Sequence, residues 1–145
     1  MKKQAYTMIA LLVLVGSMAV AAQAQTSGRN QLIANIPFEF NVGSKTLPAG
    51  EYTVRQIYPA SDHAVLLLRD KAGNSAMIQM NTAVGKANEQ ARLVFSCYGG
   101  QHYFSQAWTS GEATGLEASP SRAERRASEI AGLKSKTESV ALRVR

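Results

Sequence analysis

The sequence predicts an all-β, mainly antiparallel fold: a small β-sandwich or barrel of about seven strands with one short C-terminal helix, preceded by a signal-peptide helix. Three observations lead to this prediction. Apolar and polar residues alternate with a period of two in several segments after residue 30, as in strands with one buried face. Turn-forming glycine, asparagine and aspartate residues separate these segments. A capping box and a later glycine bracket one helical segment near the C terminus.

Residues 1–24 have the order of features found in an export signal. Two lysines form a basic start, an apolar run follows, and Ala22 and Ala24 form a small-x-small cleavage motif. We therefore expect cleavage after Ala24, followed by a polar and flexible lead-in over residues 25–30. The alternative is a retained membrane anchor, because residues 5–22 provide eighteen mostly apolar positions, near the lower limit for spanning a bilayer.

A β-rich domain is predicted over residues 31–121. Pro37 lies within the first strand and cannot donate a ladder hydrogen bond, which predicts a sheet edge or an irregular start there. The alternating apolar positions of that strand are Ile36, Phe38, Phe40 and Val42. Turns over residues 43–50 lead to a second strand, in which Tyr52 and Val54 face inward.

The remaining predicted strands of this domain are 64–69, 76–80, 92–98 and 101–108. The first is a continuous apolar run, short enough for a central strand, and residues 70–74 have the composition of a turn. Gly99–Gly100 between the last two strands is a strong hairpin signal. Loops are expected over 59–63, 85–90 and 109–119, the last with one weak strand around Leu116.

Residues 122–145 are predicted to add a basic helix and a closing strand to the same domain. Ser121 and Glu124 form a capping box, and a helix from there to about residue 131 would end at Gly132. The closing strand is predicted from the alternation of Val140, Leu142 and Val144 with polar or small residues.

The formal net charge of +6 is unevenly distributed along the chain. Residues 31–121 contain six basic and seven acidic residues, whereas residues 122–145 contain seven basic and three acidic ones. The basic character is therefore confined to a tail without aromatic residues, which argues against nucleic-acid binding.

The single cysteine, Cys97, cannot form an intramolecular disulfide, and its alternation with Leu93 and Phe95 favours a core position over an intermolecular link. A hairpin centred on the glycine pair would place Cys97 opposite His102, and such proximity can activate a thiolate. The sequence shows no third, orienting residue, so core packing is favoured over catalysis. The other histidine, His63, lies in a loop, where a solvated side chain is favoured over a weak surface metal site. Because neither histidine has a partner at the spacing typical of metal ligands, the sequence predicts no metal and no cofactor.

Two further groups of residues are candidate sites. Glu39 and Glu51 could face each other near the first turns, but their polar strand positions favour solvated side chains over paired catalytic carboxylates. Tyr98, Tyr103 and Trp108 form a compact aromatic group on one hairpin, a possible surface for stacking on a sugar or peptide. The alternative for these three is core and cross-strand packing.

The block Phe40-x-Val42…Leu47-Pro48-Ala49-Gly50-x-Tyr52-x-Val54 resembles one in a family of small exported bacterial β-rich proteins of unassigned function. Those proteins carry a later Tyr-Gly-x-x-Tyr-Phe element and a nearby tryptophan; here the stretch 98–104 is one residue longer and Trp108 follows. The resemblance covers most of the mature domain and implies no activity. The Leu-Pro-Ala-Gly-x-Tyr piece also resembles an element of immunoglobulin-like and prealbumin-like sandwiches, where the tyrosine hydroxyl bonds nearby backbone, as in a tyrosine corner.

These observations favour an exported, non-enzymatic protein that is periplasmic or extracellular after signal cleavage. The expected role is envelope structure or interaction with a macromolecule, such as an envelope protein or polysaccharide, with membrane contact only through an uncleaved signal. The alternative is a small-ligand or carbohydrate-binding β module that uses the aromatic hairpin 98–108.

Overall fold

The computed structural model describes residues 31–57, 64–132 and 135–144. Over these residues the chain forms ten strands and one helix. In chain order they are β1 (Leu32–Ile36), β2 (Phe40–Val42), β3 (Lys45–Leu47), β4 (Gly50–Ile57), β5 (Ala64–Asp70), β6 (Ser75–Val84), β7 (Arg92–Tyr98), β8 (Gln101–Trp108), β9 (Thr114–Ala118), α1 (Arg122–Ala131) and β10 (Lys136–Val144). The predicted signal segment, its cleavage site, the lead-in and the predicted loop 59–63 lie outside the described residues.

Eight of the described strands close into a barrel. The order around it is β1-β4-β5-β6-β9-β8-β7-β10, and pairing of β10 with β1 and of β8 with β9 completes the circle. Every neighbouring pair in this circle is antiparallel. The prediction of a mainly antiparallel sandwich or barrel with one C-terminal helix is therefore confirmed, and the closed form is a barrel.

The predicted first strand is in fact two strands. β1 ends at Ile36 and β2 begins at Phe40, so the prediction of one continuous strand through Val42 is wrong. Pro37 interrupts the ladder because it has no backbone N–H to donate. The alternation of apolar residues nevertheless continues across the break, and Ile36, Phe40 and Val42 are all buried.

The hairpin of β2 and β3 completes the wall of the barrel where β9 is too short to do so. β9 pairs with β6 only from Met80 onward and with β8 only over the last three residues of β8. β2 instead pairs in parallel with the start of β8, and Lys45 of β3 donates a hydrogen bond to the Ser75 carbonyl at the start of β6. The hairpin thus bridges β8 and β6 and adds Phe40, Val42 and Leu47 to the core.

The two ends of the barrel differ as a result. At the filled end, aromatic and aliphatic side chains from β1, β2, β4, β7 and β8 meet; the most deeply buried are Ile36, Phe40, Tyr52, Phe95 and Phe104. The open end is formed by the start of β1, the end of β4, the β6–β7 and β8–β9 connections and the end of β10. Several inward-facing aliphatic residues there, including Leu32, Leu116 and Leu142, stay partly exposed.

Tyr52 behaves as the tyrosine of a corner, as the sequence predicts. Its side chain is fully buried, its ring meets Phe40 edge-on at 5.2 Å, and its hydroxyl donates to the Pro48 carbonyl at 2.7 Å. The hydrogen bond satisfies a hydroxyl that would be costly to bury alone. It also ties the turn before β4 to the core.

The C-terminal elements follow the prediction closely. The Glu124 backbone N–H donates to the Ser121 hydroxyl at 3.1 Å, and α1 ends at Gly132, which has a φ of 55°. β10 then inserts between β7 and β1 and closes the barrel. The predicted weak strand around Leu116 is the regular strand β9. The glycines of this region had predicted a loop on either side of it.

Candidate functional site

A pocket of about 230 Å³ lies at the open end of the barrel. Its wall consists mostly of aliphatic side chains from six strands, Leu32, Val54, Leu66, Ala107, Leu116 and Leu142, and Trp108 also lines it. Its rim carries polar groups, among them Gln56, Thr82 and Glu112. An apolar wall with a few polar groups at the entrance is the usual composition of a small-molecule site. The volume is below the roughly 300–1,000 Å³ of sites for drug-sized ligands, so the pocket suits a small and mostly apolar molecule.

The three aromatic residues proposed as a binding surface do not form one continuous solvent-facing group. Tyr98 and Tyr103 are neighbours near the filled end, with ring centroids 6.0 Å apart, whereas Trp108 is at the other end of β8. Tyr103 is 3% exposed and Trp108 is 7% exposed, and Tyr98 is half-buried. A binding role for these residues stays a prediction, and their burial favours packing.

A β-bulge in β8 explains the placement of Trp108. Val94 pairs with Gln106, but Phe95 pairs with Phe104, so Ser105 is the extra residue. The extra residue reverses the alternation, which places Ala107 inside the barrel and Trp108 outside. Trp108 then packs in a small outer cluster with Ala83 and Val94, and its indole N–H donates to the Gln106 side chain at 3.0 Å.

A different set of side chains meets at the filled end: Cys97, His102 and Glu138. Cys97 and His102 are direct cross-strand partners on either side of Gly99–Gly100, as predicted, and both turn glycines have positive φ angles. Glu138 arrives from β10, and its carboxylate lies 3.3 Å from His102 Nε2. The sulfur, nitrogen and oxygen atoms of the three side chains lie within 4.8 Å of one another. We call these three residues the Cys-His-Glu cluster.

The Cys-His-Glu cluster corrects one sequence-based expectation and shows what sequence reasoning missed. Cys97 was expected in the core, but it is a free, partly exposed cysteine. The inward face of β7 stops being core at this point because the strand reaches the rim of the barrel. The third residue, which the sequence did not reveal, is Glu138, about forty positions after Cys97. The one sequence feature that could have pointed to it is the predicted closing strand on which it lies. Because the partner of that strand could not be inferred, neither could the contact.

The other candidate residues are placed as follows. His63 lies outside the described residues. Glu39 and Glu51 are both exposed, in agreement with the solvated interpretation, and Glu51 forms an ion pair with Lys71 at 2.9 Å. Neither carboxylate is brought into the pocket or the Cys-His-Glu cluster.

Glu124 lies at the start of α1 and is 8% exposed. Among the described residues, it is the one charged residue that is buried. Burial raises the pKa of its carboxyl group, and a hydrogen bond from the Ser121 backbone N–H lowers it in part. Its charge also contributes, after burial, to raising the pKa of Tyr103. α1 therefore packs over the outer face of the β7–β8 hairpin with a carboxylate turned toward the protein.

We expect Glu124 to make the protein less stable as the pH rises. Because its folded pKa is raised, the folded state holds a proton over a pH range in which the unfolded chain has lost it. The contribution of Glu124 to the free energy of unfolding should be largest below the ordinary carboxyl pKa of 4.5 and fall as the pH rises through the folded value. Glu124→Gln, which keeps an acceptor for the Ser121 N–H, should remove this decline and be the more stable protein at neutral pH. Urea denaturation as a function of pH measures both effects.

The matched control is Glu129→Gln, an exposed position on the same helix. It should leave the pH profile of the free energy of unfolding unchanged. An unaltered profile in Glu124→Gln would show that Glu124 is not the group responsible.

The fold and pocket together define a closed, eight-stranded antiparallel β-barrel with one filled and one open end. Comparison of the chain with protein-family models, with curated proteins and with solved structures finds no match. Among the described residues, no helix combines the length and apolar character needed to cross a membrane.

Proposed function

We propose that this chain is an exported, non-enzymatic binding protein that holds a small, mostly apolar molecule in the open end of its barrel. The observation that carries the proposal is the pocket, whose aliphatic wall is left without protein side chains to fill it. The contrast with the filled end supports it, because there the same inner surface is covered by Phe40, Phe95 and Phe104. The export signal in the sequence supports the proposed location.

The lining favours an alkyl or small cyclic group over a sugar. Sugars are commonly bound by exposed aromatic faces, but Trp108, the aromatic residue that lines the pocket, is 7% exposed and packs against Ala83 and Val94. The threonine and carboxylate groups at the rim suit one polar end, such as a hydroxyl. A small primary alcohol of medium chain length has this chemistry.

An interaction or structural role in the envelope, which the sequence favours first, is the second proposal. The feature that bears on it is the outer edge of β3, to which no further strand is paired among the described residues. That edge is three residues long and carries an exposed lysine, Lys45, a combination that discourages pairing with another chain. Ligand binding is therefore the better supported of the two.

The proposal is tested by titrating octan-1-ol into the full chain and following backbone amide shifts by NMR. Binding in the pocket should shift residues of its wall, such as Val54, Leu66 and Leu116, and leave the filled end unchanged. Ala107→Phe should occupy the pocket and abolish the shifts without unfolding the protein, because Ala107 lines the pocket. Ala141→Phe, the same change at an exposed position of β10, is the control.

Shifts spread evenly over the surface, or unchanged by Ala107→Phe, would contradict the proposal. So would the absence of any shift at the solubility limit of the alcohol. Shifts induced by a hexose but not by the alcohol would instead support the carbohydrate alternative.

A further inference from the structure

We propose that Cys97, His102 and Glu138 form a binding site for a divalent transition-metal cation, with Zn²⁺ the best fit. The site is separate from the pocket, because the two lie at opposite ends of the barrel. It therefore does not depend on the ligand proposed above.

The donor atoms are of the right kinds for this metal. Thiolate sulfur, imidazole nitrogen and carboxylate oxygen are the three protein ligands that Zn²⁺ accepts. The mixture of one soft and two harder donors selects against Ca²⁺ and Mg²⁺, which take oxygen ligands. Three protein ligands also leave one tetrahedral position for water.

The spacing of the donor atoms is close to what a metal requires. In a tetrahedral zinc site, neighbouring ligand atoms are about 3.4–3.8 Å apart. The Glu138 oxygen is already 3.3 Å from His102 Nε2, and all three donor atoms lie within 4.8 Å of one another. Adjustments of about 1 Å, within the range of side-chain torsions, would bring the sulfur to bonding distance.

The three side chains are held by paired strands of the barrel. Each residue is on a regular strand, and β10, β7 and β8 are consecutive neighbours in the barrel wall. Phe38 stacks on the His102 ring with a centroid distance of 3.8 Å and an angle of 11° between planes, and it also meets Phe95 edge-on. Asn41 donates to the His102 carbonyl at 3.2 Å. The stack holds the plane of the imidazole, and the Asn41 bond holds the backbone that carries it.

The Cys-His-Glu cluster is also accessible to an ion. The side chain of Glu138 is 46% exposed and that of His102 is 15% exposed. Cys97 is partly exposed and has no disulfide partner within the chain. A cation can therefore reach the donors from solvent, which a core cysteine would not permit.

The test is a Co²⁺ titration of the full chain under reducing conditions, followed by competition with Zn²⁺. Co²⁺ should bind one ion per chain and produce the thiolate-to-cobalt charge-transfer band together with the intense visible bands of four-coordinate cobalt. Cys97→Ser should abolish the charge-transfer band. His102→Ala and Glu138→Gln should each weaken binding by about tenfold or more. Zn²⁺ should displace the cobalt and raise the melting temperature of the wild-type chain.

Two matched controls separate the site from nonspecific binding. His63→Ala alters the other histidine of the chain, and Glu129→Gln alters an exposed carboxylate; neither should change the affinity. Circular dichroism of each variant without metal shows whether it folds. Binding without the charge-transfer band, equal affinity in folded Cys97→Ser, or no binding by the folded wild-type chain would each overturn the proposal.

Discussion

Phe95→Ala is expected to lower the free energy of unfolding by about 3–5 kcal/mol. Phe95 is fully buried, and its ring meets three other aromatic rings edge-on. The ring centroids of Phe38, Phe40 and Phe104 are 5.2, 5.4 and 5.8 Å away. Removing the ring leaves a cavity whose walls come from β2, β8 and the segment between β1 and β2, so the site cannot collapse easily.

Urea denaturation measures this loss of stability, and two further variants serve as comparisons. Phe95→Leu keeps most of the volume and should cost less than Phe95→Ala. Met77→Ala removes a side chain that is 68% exposed on β6, so its effect should stay within about 0.5 kcal/mol. Equal losses in Phe95→Ala and Met77→Ala would show that the filled end is not the stabilising core.

Gly115→Ala is expected to destabilise the protein by about 1–3 kcal/mol, although it adds a single methyl group. The indole of Trp108 lies directly on Gly115, so a Cβ there would be 2.6 Å from Cε3 and 2.7 Å from Cδ2. The indole is also close to a second glycine, because a Cβ on Gly85 would be 2.5 Å from Cη2. A methyl group on Gly115 would therefore force the indole ring to shift.

The control for this prediction is Gly50→Ala, the same change at another strand glycine. A Cβ on Gly50 would have Tyr52 Cε2 as its nearest neighbour, at an ordinary contact distance of 3.9 Å. This variant should be close to neutral. Trp108 is the one tryptophan of the chain, so its fluorescence reports the displaced indole directly. A Gly115→Ala protein with wild-type emission and stability would contradict the packing described for Trp108.

The local signals in the sequence were reliable wherever neighbouring residues decide the conformation. The Gly99–Gly100 turn, the tyrosine corner at Tyr52 and the helix cap at Ser121 are each formed by residues within a few positions of one another. Their chemistry does not depend on the rest of the chain. The predictions for them were therefore confirmed in type and in position.

The failures share one physical cause, which is that pairing between distant strands overrides local pattern. Periodicity in β8 would place Trp108 on the same face as Phe104, but the bulge at Ser105 turns it outward. Glycine-rich composition predicted a loop over residues 109–119 with one weak strand around Leu116, but β9 is a regular strand because both of its edges find partners. Gly115 is present there because the indole leaves no room for a side chain.

Local patterns of residues were enough to predict an all-β fold, most of its strands, the C-terminal helix and the cross-strand pairing of Cys97 with His102. They also predicted export, but the predicted signal is outside the described residues. The closure of the strands into a barrel with one filled end, and the position of Glu138 beside His102, could be learned from the three-dimensional arrangement alone. The reason is that a strand pattern specifies which face is buried but not which strand lies alongside, and both the pocket and the Cys-His-Glu cluster depend on that choice.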